Sequence, residues 1–181
     1  LALALFFSCS KAPQQEAPDE RPEQEVPVVS DNPAILFVHE GEDLAEILAA
    51  LPEEVHEVRI GAGTFKGNFV MKEGVIVSGS WNNDFTQTID YQPLQSTEGL
   101  TTILDASGDG AVLTQEDVFT TETVWKNLSL RNGWVTTADT HGCVRLKAGG
   151  VLEGCEVAFN INVEPGNCGG GVYSDSARAA A

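Results

Sequence analysis

Apolar and polar positions alternate along this chain in runs of roughly three to six residues, each closed by glycine or asparagine. Val55-His56-Glu57-Val58-Arg59-Ile60 stops at Gly61-Ala62-Gly63, and Val75-Ile76-Val77-Ser78 stops at Gly79. Two later segments share one cadence. Thr123 to Gly133 alternates and ends at Asn132-Gly133; Gly150 to Asn160 has the same shape. Val124 aligns with Val151, Leu128 with Cys155, Leu130 with Val157 and Gly142 with Gly169, all at an offset of 27 residues. A constant offset with turn chemistry at matching places predicts a solenoid, and strands this short make it a β-solenoid.

The helical period occurs once. Leu44, Ile47, Leu48 and Leu51 fall on one face of a predicted helix Leu44–Leu51, with Asp43 as N-cap, Glu46 at the capping-box position and Pro52 as the stop. One amphipathic helix ahead of the strands suits an N-terminal cap over the unpaired edge of the first coil. The polar stretch Trp81 to Leu100 interrupts the rhythm and reads as a loop leaving a coil corner. The expected architecture is all-β: a single-stranded right-handed parallel β-helix of roughly four to five coils, with the hand set by the general rule for parallel crossovers. An antiparallel β-sandwich would need hairpin turns and longer strands than these.

The segments "GAGTFKGNFVMKEGVIVSGSWN" (Gly61 to Asn82), "TTILDASGDGAVL", "NLSLRNG" and "GGVLEGCEVAFN…GGGVY" resemble right-handed parallel β-helix proteins of the pectate-lyase-like superfamily. Within it they are similar to the bacterial surface-protein branch, including polymorphic outer-membrane-protein repeats. The resemblance covers about Ile35 to Asp175 and implies architecture more than activity. The same fold carries lyases, hydrolases and non-catalytic adhesins.

The ends of the chain differ from its middle. Leu1 to Phe7 is apolar, too short to span a bilayer, and runs into Ser8-Cys9, so residues 1–9 read as the remnant of a signal peptide. Leu5, Ser8 and Cys9 resemble the lipobox of bacterial lipoproteins, which makes Cys9 the expected lipidation site. Residues 10–32 are acidic and proline-interrupted, without periodic apolar positions, and read as a disordered tether. Residues 33–181 form the expected β-helix domain. Its last segment, Gly169 to Asp175, announces a coil that stops short, so the domain is expected to be truncated at its C-terminal end. With 27 acidic and 10 basic residues the chain carries a formal charge of −17, which argues against nucleic-acid partners. The expected location is the outer membrane or cell surface, reached by export and held by a lipid anchor.

Candidate chemistry is sparse. Asp105 and Asp109, near Glu116 and Asp117, are the residues a Ca²⁺ ion would take, but a strand-end cap and a turn residue explain them more simply. No other cofactor or metal is indicated. His39, His56 and His141 lie in different elements and define no metal triad. Lys126, Arg131, Arg145 and Lys147 alternate with apolar residues and point outward, a row that suits acidic sugars or merely a solvated face. Trp81 and Trp134 start turns or loops, where an indole stacks on a sugar ring or closes a corner; the sequence leaves both open. With Arg145 and Lys147 they are the candidate glycan contacts. Cys155 occupies the place of Leu128 and is expected to be buried in a stack. Cys143 and Cys168 each precede a valine restart in successive coils, where equivalent positions lie about 4.8 Å apart, within disulfide range. The expected function is adhesion or glycan binding at a cell surface, without catalysis in this segment. The alternative is a polysaccharide lyase or glycoside hydrolase whose site lies on later coils, and a plain structural stalk is a third reading.

Overall fold

The computed structural model describes residues 34–88, 101–136, 142–163 and 170–175. The fold is all-β. Strands follow one another as β1 (Ile35–Val38), β2 (Glu57–Gly61), β3 (Gly63–Lys66), β4 (Phe69–Val70), β5 (Ile76–Trp81), β6 (Thr102–Asp105), β7 (Leu113–Thr114) and β8 (Thr123–Lys126). They continue as β9 (Leu128–Arg131), β10 (Trp134–Val135), β11 (Val144–Lys147), β12 (Gly150–Glu153), β13 (Glu156–Ala158), β14 (Ile161–Asn162) and β15 (Val172–Asp175). Between β1 and β2 sits α1 (Leu44–Ala49), the one helix among the described residues.

From β2 onward, consecutive strands join different sheets. The sheets are β1-β2-β5-β8-β12, β3-β6-β9-β13, β4-β7-β11-β15 and the pair β10-β14, and every ladder in them is parallel. Inward residues of the first three sheets meet in one core: Val58, Val77 and Trp125 from one, Phe65, Leu104 and Leu130 from another, Phe69, Leu113 and Val144 from the third. Each such side chain contributes about 1.5–3 kcal/mol by leaving water. The outermost strands β12, β13, β14 and β15 contain no fully buried residue.

The 27-residue offset holds on three sheets: Val151 pairs with Val124, Val157 with Leu130 and Ile161 with Trp134. On the remaining sheet it slips by one, because Val172 pairs with Val144, 28 residues back. Gly169, the expected match of Gly142, lies outside the described residues; the amide of Cys143 donates to the Gly171 carbonyl. A second correction concerns strand length. Thr123 to Arg131 is not one strand but two, β8 and β9, on different sheets, because Asn127 takes φ 57° between them. Gly154, at φ 58°, breaks the next segment at the equivalent place. Asparagine and glycine tolerate that left-handed conformation best, so alternation continues through a corner that hydrophobicity alone does not mark.

The helix is also shorter than its apolar spacing predicts, ending at Ala49. Asp43 Oδ1 accepts from the Glu46 amide at 3.0 Å as expected of an N-cap. Leu44 and Leu48 are buried, while Ile47 and Leu51 pack half-buried against the core. Among the described residues no helix is long and apolar enough to cross a membrane.

The excursion after β5 leaves and re-enters through a buried polar knot. The Ser80 amide donates to Thr102 Oγ1 at 2.7 Å and the Thr102 amide returns a bond to Ser80 Oγ at 3.3 Å. Thr102 Oγ1 donates to the Gly61 carbonyl at 2.7 Å, and Ser80 Oγ to the Asn127 carbonyl at 2.9 Å. These bonds tie the neck of the insertion to the strands on either side, so the ladders continue past it. Gly79 beside it admits no side chain: a Cβ there would stand 2.4 Å from Leu128 Cδ2 and 2.8 Å from the Asn127 carbonyl oxygen. The excursion from residue 89 to 100 lies outside the described residues, as do residues 1–33 with the signal-peptide, Cys9 and tether readings.

Thr102→Val is expected to lower stability by about 2–3 kcal/mol, since it strands the buried Ser80 amide, while Thr102→Ser retains most of it. The denaturation midpoint of the two variants checks this. Gly79→Ala should cost at least about 2 kcal/mol by overpacking the same corner.

Candidate functional site

The β6–β7 turn underlies the grooves that gather the candidate contacts. Asp105 Oδ1 accepts from the Ser107 amide at 2.7 Å and starts the turn; Ser107, Gly108 and Gly110 all have positive φ. Asn68 Nδ2, reaching from the preceding layer, donates to the carbonyls of Asp109 at 2.6 Å and Ala111 at 2.7 Å. Trp134 and Gly110 exchange backbone bonds at 2.8 and 3.0 Å. The turn is thus held from both neighbouring layers, and Trp134 is presented at its rim with 42% of its surface exposed.

Two surface grooves meet at that tryptophan, and a third adjoins the second at Arg145. The first, about 320 Å³, runs between Phe159, Ile161, Trp134 and Asp105. Next to it a groove of about 360 Å³ is lined by Asp109, Thr136, Trp134 and Arg145. The last, also about 360 Å³, continues over Thr114, Glu116, Arg145, Lys147, Tyr173 and Asp175. Trp134 and Gly108 line the first and second and Arg145 the second and third, so the grooves adjoin in series and together are called the trough. An aromatic side chain marks each part: Phe159, Trp134 and Tyr173.

Arg145 lies on the outward face of β11, with Thr114 and Tyr173 as its ladder neighbours. Its Nε donates to the Gly142 carbonyl at 3.3 Å, which folds the side chain back toward the start of the strand. Burial pushes the guanidinium below the usual arginine range. Lys147, two residues on, donates its Nζ to the Glu116 carbonyl. Gln115 fixes the segment beneath: buried to 2% exposure, it accepts from the Lys147 amide at 2.8 Å and donates to the carbonyls of Asp117 and Ala148.

The structure brings Trp134, Arg145 and Lys147 into this trough and leaves Trp81 out of it. Trp81 ends β5, where its Nε1 donates to Ser78 Oγ at 2.9 Å and the Arg59 guanidinium lies 4.5 Å from its ring. Arg59 in turn pairs with Glu57 at 2.7 Å, and Phe37 stacks on Phe85 at 4.8 Å. There the tryptophan closes a corner. Asp105 and Asp109, the Ca²⁺ candidates, are a turn cap and a turn residue, and no group of three His, Cys, Asp or Glu that would hold a metal occurs among the described residues. Lys126 and Arg131 point outward and are half-buried; Arg131 pairs with Glu156 on a neighbouring layer.

Cys143 is a fully buried free thiol donating to the Ile161 carbonyl at 3.4 Å, and Gly171 is the residue that meets it across the ladder. Burial pushes both this thiol and that of Cys155 up. The expected partner of Cys143, Cys168, lies outside the described residues, as does His141. Cys155 packs on the core as expected but is only half-buried, being on an outermost strand.

Two trough residues were not singled out from the sequence, Phe159 and Tyr173. Phe159 carries its own signal. It stands 27 residues after Asn132 with the same left-handed φ, 57° against 58°, and is 72% exposed. A bulky aromatic where asparagine stood one repeat earlier is conformationally costly and marks a place with another use.

A larger depression of about 520 Å³ beside the end of α1 holds His56, Lys72 and Glu73. Its charges are already engaged: Lys72 Nζ donates to the Ala49 carbonyl at 2.9 Å, and Glu73 Oε1 accepts from Thr120 and Thr121. No protein-family model matches this chain, and no curated protein or solved structure matches it either. The class defined by the fold and site is an all-β domain of parallel sheets bearing an aromatic-lined surface trough.

The hydrogen bond from the Thr120 hydroxyl, then those from the Thr121 and Thr120 amides, hold the Glu73 carboxyl below its ordinary range. The tie is therefore intact above the unfolded-state glutamate pKa and is lost only as pH falls through the lowered folded value. The Thr120 and Thr121 amide resonances should report one acid transition below the normal glutamate range, and Glu73→Gln should abolish it.

Proposed function

We propose that this chain is a right-handed single-stranded parallel β-helix of an exported lipoprotein, anchored through Cys9, whose trough binds glycan in adhesion at a cell surface. The observation that carries the reading is the continuity of the trough: Phe159, Trp134 and Tyr173 are spaced along it on a rim pinned by Asn68 and Gly110. Sugar rings present apolar faces that stack on exposed aromatic side chains, and a preformed rim lowers the ordering cost of binding. The β-helix assignment is supported by consecutive strands feeding separate parallel sheets around one core, with ladder partners repeating about one turn of chain apart. In that frame α1 covers the first coil. The anchor is supported by the lipobox-like Leu5-Phe6-Phe7-Ser8-Cys9 and the acidic stretch after it.

A glycan array probed with the full chain tests the binding reading. Oligosaccharide hits that Trp134→Ala weakens about tenfold or more support it, a loss in the range of one stacked aromatic anchor. No hits, together with turnover of polysaccharide by the same preparation, would favour the lyase or hydrolase alternative. Cys9→Ser should release the protein from the membrane fraction and block incorporation of labelled fatty acid.

A further inference from the structure

Asn132-Gly133 is the one Asn-Gly pair in the chain. Glycine after asparagine leaves the backbone nitrogen unshielded, because no Cβ stands between it and the asparagine side chain. That nitrogen can close on the side-chain carbonyl carbon and expel ammonia. Asn132 is exposed, at φ 58°, so its side chain is open to water. The peptide unit it shares with Gly133 is not. The Asn132 carbonyl accepts from the Gly108 amide at 2.7 Å, and the Gly133 amide donates to Asn160 Oδ1, also at 2.7 Å. Gly108 follows β6 in the preceding layer and Asn160 follows β13 in the next, so both neighbouring layers hold one peptide plane. Ring closure draws the Gly133 nitrogen toward Asn132 Cγ, which turns that plane and breaks both bonds. The two clamps are unequal. Asn160 stands between β13 and β14, outermost strands without a fully buried residue. Segments with few buried side chains open most readily.

We propose that Asn132 is a self-modification site, converting to aspartate or isoaspartate when the outer layer opens, and that Asn160 is the positioning residue that gates it. In the open state hydroxide takes the Gly133 amide proton, and the nitrogen bonds to Asn132 Cγ. The bond from Cγ to the side-chain nitrogen breaks. That nitrogen takes a proton from water and leaves as ammonia, which restores the hydroxide and gives a five-membered succinimide. Water then adds to one of the two ring carbonyls and breaks its bond to the Gly133 nitrogen. One route yields aspartate, the other isoaspartate. Isoaspartate lengthens the backbone by one carbon two residues before Trp134, so the bonds of 2.8 and 3.0 Å between Trp134 and Gly110 lose their register. Either product adds a negative charge to the groove that Asn132 and Trp134 line. Opening of the outer layer is thereby recorded irreversibly at the rim.

Mass spectrometry of the full chain held at mildly alkaline pH tests this, following the amide-to-acid mass gain at Asn132, with an isoaspartyl methyltransferase assay for the isoaspartate fraction. The wild type should convert about tenfold or more slowly than an unstructured peptide of the same local sequence, the protection that the paired hydrogen bonds give. Asn160→Ala should raise the rate in the folded chain by about tenfold. Asn160→Asp, which keeps an acceptor oxygen for the Gly133 amide while losing the donor to the Leu130 carbonyl, should stay near the wild-type rate. Asn132→Ser, without a side-chain amide, should show no mass gain at this position. Conversion of the wild type at the peptide's rate would overturn the proposal, as would an Asn160→Ala chain that folds and converts no faster than the wild type. Should Asn160→Ala fail to fold, hydrogen exchange of the Gly133 amide decides on the wild type alone. As urea is raised below the unfolding transition, conversion should rise in proportion to the open fraction that exchange reports, and conversion independent of that fraction would remove the gate.

Discussion

The structure depends on register between parallel strands that are far apart in sequence. A strand side chain points in or out by parity, so slipping one residue would exchange the core of Val58 and Trp125 for the outward Arg59 and Lys126. Ladder hydrogen bonds have no preference between those registers. The corners decide it. Asn127 and Gly154 turn the chain at equivalent points in successive layers, Asn132 and Phe159 do so again, and all four take nearly the same left-handed φ. Asn160 locks one corner to the next: its Oδ1 accepts from the Gly133 amide at 2.7 Å and its Nδ2 donates to the Leu130 carbonyl at 3.0 Å. A Cβ on Gly133 would lie 2.6 Å from that of Cys143, so this corner also excludes any side chain.

Fixed corners explain how the layers tolerate unequal lengths. β5 is 48 residues from its neighbour β8 at Ile76 and Val124, whereas β8 is 27 from β12, yet both ladders are parallel and in register. The extra chain is expelled where Ser80 and Thr102 bond reciprocally. Trp125 shows the cost of packing under such constraint. Its ring is fully buried, and its Nε1 has no hydrogen-bond partner among the described residues. The indole is held there for its volume.

What was legible in the sequence follows from the same physics. The match of Val124 with Val151 and of Leu130 with Val157 was visible because two adjacent layers have equal length, so apolar residues recur at one offset on the outer face of one sheet and the inner face of another. The breaks at Asn127 and Gly154 were not, since alternation continues through the corner and only the sheet to which each half belongs changes. Of the candidate contacts, Trp134, Arg145 and Lys147 converge and Trp81 does not. Convergence depends on layer-to-layer stacking around a corner, which no local window of sequence contains. Phe159 was readable in principle, as an aromatic in the column of an asparagine, but only after the corner had been placed.

The charge of the molecule gains a consequence from this geometry. Its acidic residues create a long-range field that slows any polyanion approaching from solution, and salt weakens that field within about 10 Å at moderate ionic strength. Within the trough the balance differs: Arg145 faces Asp109, while Arg145 and Lys147 accompany Glu116 and Asp175, so each part lined by Arg145 carries opposite charges in equal number. The local field there is therefore weaker than that of the acidic body as a whole, so a ligand reaching it meets less repulsion than it would over the rest of the surface.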